Sequence, residues 1–259
     1  SFRSATKDNF LSEITTLLSE EKIGLIINAA ASQSSKDSPD DIQELIDSNV
    51  LLPSIIASSI QKHSKNTTFI TFGTSWECFQ GELLPFNAYA SSKTAGKDIL
   101  RHYAMNGVKI CYLMLHDVYG KNDTRNKIVN IIADAINNET KINMSGGEQY
   151  INLIHVNDVL TSIDKVIEIV GAKVTNKLIE YTIGSDKSMK LKNLAKLMCE
   201  MKSININNII NFGFYPYRDR ERFEPNQFKP MPGWNPSVKL ENGLLELIKQ
   251  RNNSIPNIQ

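Results

Sequence analysis

Cysteine is scarce in this chain: Cys78, Cys111 and Cys199 are the only three in 259 residues. An odd number with no CxxC pair gives no disulfide framework, and the four histidines do not cluster with them into a zinc site. Neither sign of charge is in excess. The 29 basic and 28 acidic side chains leave a net charge of +1, so no global field draws the chain to nucleic acid or to an acidic membrane surface. Long apolar runs are missing too. Leu51 to Ile60 is broken by Pro53 and by serines, and nothing approaches the ~20 residues a membrane-spanning helix needs. These absences remove nucleic acid, membranes and metal from the expected partners, and a reducing cytoplasm is the expected compartment.

What remains is an ordinary globular composition, 41% hydrophobic and 22% charged, long enough to bury a full core. Helical periodicity covers Asn9 to Glu21, and Leu25 to Ile27 then reads as a short buried strand ending in small residues. Pro39 to Asn49 is a helix with Asp40 and Asp41 in its first turn, continuing toward His63. Thr67 to Phe72 is a β-branched strand closed by Gly73, and Tyr89 to Asn106 is a long helix stopped by Gly107. Val108 to Leu115 and Leu178 to Ile183 are further strands; helices are expected over Asn126 to Asn137, Asp158 to Val170 and Leu191 to Met201. The alternation predicts an α/β fold with a doubly wound, Rossmann-like parallel sheet. We expect a dinucleotide-binding domain over 1–184 and a substrate-binding region over 185–259, to which 120–152 contributes.

The first feature with a mechanism is Tyr89-Ala-Ser-Ser-Lys93. At i and i+4 the phenol and the ammonium share one helix face, and the cation favours the phenolate. The same spacing also suits an amphipathic helix with a half-buried Tyr and a solvated Lys. Upstream, Gly73-Thr74-Ser75 places hydroxyls at the carboxyl end of a parallel strand, the edge where open α/β sheets bind ligands. Thr74 could equally be a strand-end residue capping its loop.

In order and spacing these motifs resemble the extended short-chain dehydrogenase/reductases, the NAD-dependent epimerase/dehydratase family acting on nucleotide-linked sugars. Asn28-Ala29-Ala30 is similar to the small-residue motif that lines the cofactor, and Asn49-Val50 to the helix Asn supporting the active site. Thr74, Tyr89 and Lys93 match the catalytic Ser/Thr, Tyr and Lys. Val118-Tyr119-Gly120, Gly147-Glu148-Gln149, Ile154 to Val159, Phe212-Gly213, Tyr217-Arg218 and Gly233 to Pro236 continue the likeness. The resemblance implies NAD or NADP, held by Asn28, Ala29, Ala30, Asn49, Tyr89 and Lys93. It also implies a nucleotide-diphosphate sugar near Thr74, Ser75, His116, Asp117 and Arg218, and a homodimer paired through the helices of Asn49 to His63 and Tyr89 to Asn106.

Four departures refine this. The family's GxxGxxG cofactor turn is absent from the sequence. Aligning Asn28 to Ala30 puts it in about 60 missing residues, two βαβ units of ~30 each, so a longer parent chain is expected. The acid pair that dehydratases carry directly after the catalytic Thr is replaced by Ser75-Trp76, with Glu77 one position further on. Ile151 and Asn152 stand where relatives carry Arg-Asp, and Asp117 where Asn is common; Arg218, Arg220 or Lys127 are the candidates to compensate. The loop between Thr74 and Tyr89 and the run Leu115 to Gly120 look most like the CDP-abequose/paratose synthase-type reductases. The resemblance therefore implies reduction of a 4-keto-deoxyhexose; a 4-epimerase on tightly held NAD and a non-catalytic sugar-nucleotide binder are the alternatives.

Overall fold

The computed structural model describes residues 7–20, 22–33, 38–64, 66–171, 176–225 and 231–253. Its principal elements are α1 (Lys7–Glu20), β1 (Leu25–Asn28), α2 (Pro39–Ile46), α3 (Leu52–His63), β2 (Thr68–Thr74), α4 (Ala88–Met105) and β3 (Lys109–Leu115). They continue with β4 (Asp117–Tyr119), α5 (Ile128–Asn138), β5 (Leu153–His155), α6 (Val156–Gly171), β6 (Ile179–Ile183), α7 (Leu191–Glu200) and α8 (Leu240–Asn253). The expected strands and helices are present with ends displaced by a few residues. Glu21, assigned to the first helix from sequence, lies outside the described residues.

Among the described residues the chain divides into two compact units. One takes 7–115, 162–183 and 231–233; the other takes 116–161, 184–225 and 234–253. In the first, four parallel strands pair in the order β1-β2-β3-β6, the α/β parallel sheet that the alternation predicts. Phe69, Ile110 and Tyr112 on one face of this sheet join a core with Leu18 of α1, Leu52, Ile56 and Ile60 of α3, and Leu100 and Ala104 of α4. The neighbouring face is apolar as well: Ile70, Cys111 and Leu113 are fully buried. Burial on both faces is why β2 and β3 read as continuous apolar runs rather than as an alternation.

The helix expected from Pro39 toward His63 is continuous but changes character midway. Asp47–Leu51 forms a π turn, and α3 resumes with Pro53 in its first turn. A proline there lacks an N–H that the wider turn leaves without a helical partner, so the two features accommodate each other.

The second unit has its own core, built from Val129, Ile132 and Ile136 of α5, Leu194, Ala195 and Met198 of α7, and Leu244, Leu247 and Ile248 of α8. β4 and β5 pair in parallel through Asp117↔Leu153, Val118↔Ile154 and Tyr119↔His155. These three-residue strands carry no periodic signal long enough to predict, which is why sequence reading passes over them; α8 does carry one, with Leu240, Leu244, Leu247 and Ile248 at helical spacing, and went unread. Asp158, 1% exposed, anchors the approach to α8: its carboxylate accepts from the Ser237 N–H (2.8 Å), the Ser237 hydroxyl (3.0 Å) and the Val238 N–H (3.2 Å). Asp158→Ala strands these donors, and we expect a loss of about 2 kcal/mol in a urea titration. An unchanged midpoint would show that water takes over the anchor.

Candidate functional site

The carboxyl end of β2 is where the first unit concentrates its polar side chains. Asn87 caps α4, its side-chain oxygen accepting the Ala90 N–H at 2.9 Å, which fixes the first turn and with it Tyr89. Tyr89 is half-buried. One turn on, Lys93 is 7% exposed and donates to the Phe72 carbonyl of β2 at 3.0 Å. The solvated-lysine alternative is therefore excluded. Burial pulls the Lys93 ammonium down to about 8, against the opposing pull of the Glu77 carboxylate.

Thr74 ends β2 and caps the 3-10 turn Ser75–Glu77: its hydroxyl oxygen accepts the Trp76 N–H at 3.3 Å, and its own N–H donates to Glu77 Oε1 at 2.9 Å. Capping and chemistry are compatible here, because an accepting hydroxyl still has its O–H to donate. Ser75 beside it is buried. Trp76 meets Phe86 edge to face, with ring centroids 5.1 Å apart.

Asn28, Ala29 and Ala30 lie where β1 runs out. The Asn28 amide donates to Thr71 Oγ1 at 3.4 Å and its oxygen accepts the Ala30 N–H at 3.2 Å, while Ala29 and Ala30 are exposed. Asn49 sits in the π turn. Its amide donates to the Ser32 carbonyl (2.9 Å) and to the Ser92 hydroxyl (3.0 Å), and its side-chain oxygen is buried with no hydrogen-bond partner among the described residues. Gly96 makes this approach possible, because a Cβ there would overlap the Asn49 carbonyl oxygen.

The remaining candidates belong to the second unit. His116 is buried against Gly184, and burial, reinforced by the Arg222 charge, drives its imidazole down to about 3. It is a neutral group at any working pH. Burial raises the Asp117 carboxyl, although Lys127 and Arg222 pull it the other way, so two cations offset its charge. Arg222 was not singled out from sequence; the candidates named there, Arg218 and Arg220, lie on the same loop, with Arg218 exposed. Only the fold tells one arginine of that loop from another. Asn152, where relatives carry Asp, clips a loop: it donates to the Ser185 carbonyl (2.8 Å) and Ser188 Oγ (3.2 Å) and accepts the Ser185 N–H (2.8 Å). His155 is a packed residue, buried edge to face against Tyr119. Among the described residues there is no His/Cys/Asp/Glu cluster able to hold a metal, and no helix long and apolar enough to cross a membrane.

The model of the NAD dependent epimerase/dehydratase family matches residues 8–184. The CDP-abequose synthase of Yersinia pseudotuberculosis is 28% identical over 204 residues, covering 78% of this chain and 69% of that protein. The CDP-abequose synthase of Salmonella typhimurium is 26% identical over 167 residues, 62% of this chain and 55% of that protein. The solved structure of UDP-glucuronic acid 4-epimerase from Bacillus cereus, in complex with UDP-glucuronic acid and NAD, has a TM-score of 0.76 at 16% identity, covering 98% of this chain and 80% of that one. At that identity the likeness is one of fold.

Proposed function

Since the chain belongs to the NAD dependent epimerase/dehydratase family, we propose that it serves a nicotinamide-dependent reduction of a nucleotide-linked 4-keto-deoxyhexose. The observation that carries this reading is the buried Lys93, held at the end of β2 beside Thr74 and one turn from Tyr89. The names of the two relatives described above, both CDP-abequose synthases, support the choice of a CDP-linked sugar.

The residues present suit the nicotinamide-ribose end of such a cofactor. A buried lysine able to donate, an Asn49 oxygen without a partner among the described residues and the exposed small residues Ala29 and Ala30 provide donors, an acceptor and room. The GxxGxxG that would hold the pyrophosphate end is not within these 259 residues. Reduced nicotinamide, when bound, supplies hydride. The chain's own part is protonic: Thr74 donates to the carbonyl oxygen and orients it, Tyr89 gives its proton to that oxygen as negative charge develops, and cationic Lys93 favours the tyrosinate left behind. Glu77 is not a stand-in for the dehydratase acid pair, because its carboxylate is fully buried and already bonded within the first unit.

The test is to supply the full chain with a CDP-linked 4-keto-6-deoxyhexose and NADPH or NADH. Loss of the reduced cofactor with formation of the 4-hydroxy sugar supports the reading and identifies the cofactor. Interconversion of sugar nucleotides without added reductant would make it an epimerase instead, and failure to bind either cofactor would leave a binding protein. Since Lys93 must stay protonated, turnover should fall as pH rises through about 8. A flat profile from pH 7 to 10 would remove Lys93 from the mechanism.

A further inference from the structure

Glu77 and Lys97 are the most deeply buried charged pair among the described residues, at 0% and 2% exposure, with Lys97 Nζ 2.7 Å from Glu77 Oε2. Nothing in the proton transfer above uses either. Such a pair is costly to desolvate, and a hydrophobic pair of the same volume often serves stability better. Its location suggests what it does. Glu77 Oε1 accepts both the Thr74 N–H (2.9 Å) and the Tyr112 hydroxyl (2.8 Å), and that hydroxyl also lies 3.3 Å from the Lys93 carbonyl. Room for this arrangement is reserved in the sequence: a Cβ at Gly73 would overlap both the Tyr112 ring and the Glu77 carboxylate. Lys97 is further held 3.7 Å from Glu180, which pairs with Arg101 at 3.0 Å, and it lies 5.2 Å from the centroid of the Tyr112 ring.

Positive and negative groups thus alternate from Lys93 through Glu77, Lys97 and Glu180 to Arg101 at the surface. We propose that Glu77 is a positioning residue of the catalytic set, fixing Thr74 through its backbone and supplying the counter-charge for Lys93, while Lys97 and Tyr112 hold the carboxylate in place. This rests on the catalytic reading of Thr74, Tyr89 and Lys93 and deepens it. The groups around this pair are Tyr112 from β3, which bonds the Glu77 carboxylate, Lys97 from α4, and Glu180 from β6, which pairs with Lys97; Tyr89 and Glu180 also act on the Tyr112 phenol. Burial, then the Glu77 charge, keeps the Tyr112 phenol well above its ordinary range, so it remains a donor to the carboxylate. The Glu77 charge also resists the downward pull of burial on Lys93.

The experiment is an NMR titration of 13C-labelled lysine, with Lys93 assigned by substitution, in the wild-type chain, Glu77→Gln, Glu77→Gln/Lys97→Met and Tyr112→Phe. The double variant removes both buried charges together and keeps the test alive if Glu77→Gln alone does not fold. We expect the Lys93 midpoint to drop by about one pH unit in the folded Glu77 variants, as loss of a nearby opposite charge requires. Tyr112→Phe, which removes a hydrogen bond but no charge, should lower the melting temperature and leave the midpoint in place. In parallel, the alkaline limb of kcat should move with the midpoint and neutral-pH kcat fall roughly tenfold with KM kept, since Thr74 loses its fixed backbone. An unmoved Lys93 midpoint in a folded Glu77 variant overturns the inference. A wild-type chain that never turns over overturns the catalytic reading instead, and the titration still decides the role of Glu77.

Discussion

Tyr89→Phe is expected to lower turnover by about 10²- to 10⁴-fold, the range for removing a positioned general acid. The substitution deletes one hydroxyl from a half-buried side chain near the start of α4 and leaves the Asn87 cap and the Lys93–Phe72 hydrogen bond in place. The melting temperature should therefore stay close to that of the wild-type chain, and cofactor affinity should fall only modestly. Turnover within tenfold of wild type would show that the proton comes from elsewhere, and the hydroxyl of Thr74 would be the next group to remove. Collapse of both stability and activity would instead assign Tyr89 a packing role.

How much of this was legible beforehand depends on how locally each feature is encoded. Tyr89 and Lys93 are one helical turn apart, so sequence alone places them on one face of α4. That Lys93 is buried is set by β2, whose Phe72 carbonyl lies 21 positions away, and no reading of the helix could separate this from a solvated lysine. Thr74 was legible as a strand-end hydroxyl. Its capping box with Glu77 is a local Thr-x-x-Glu spacing that went unread, whereas the burial of that carboxylate was not legible, because its partners Lys97 and Tyr112 come from different elements. The second unit was less readable still. β4 and β5 owe their existence to pairing with each other rather than to any propensity, and Arg222 is one of three closely spaced arginines until the loop is folded. The π turn at Asp47–Leu51 has no sequence signature beyond the following proline. Most features stated by neighbours in the chain were found, and those stated by partners in space were not.

The π turn also carries the second large expected effect, in Gly96→Ala. Alanine is the better helix former by about 1 kcal/mol, so an exposed position on α4 would gain from the change. Gly96 is not such a position, because its missing Cβ is where the Asn49 carbonyl oxygen sits, with the Asn49 carbon 3.3 Å and the Val50 Cα 3.5 Å away. The obstacle is backbone, which cannot rotate aside as a side chain can. Relief requires α4 and the π turn to separate, at a cost of about 1–3 kcal/mol for overpacking, enough to reverse the propensity gain. The displacement acts where the candidate site is least tolerant. Asn49 is bonded to Ser92 and to the Ser32 carbonyl, and Lys93 is the next residue along from Ser92. A shift of about 1 Å in such a set costs on the order of 100-fold in rate, so Gly96→Ala should lose far more turnover than stability. Thermal unfolding measured beside kcat checks this. Equal, small losses in both would mean that the helices part freely and that Asn49 plays no part in holding the site.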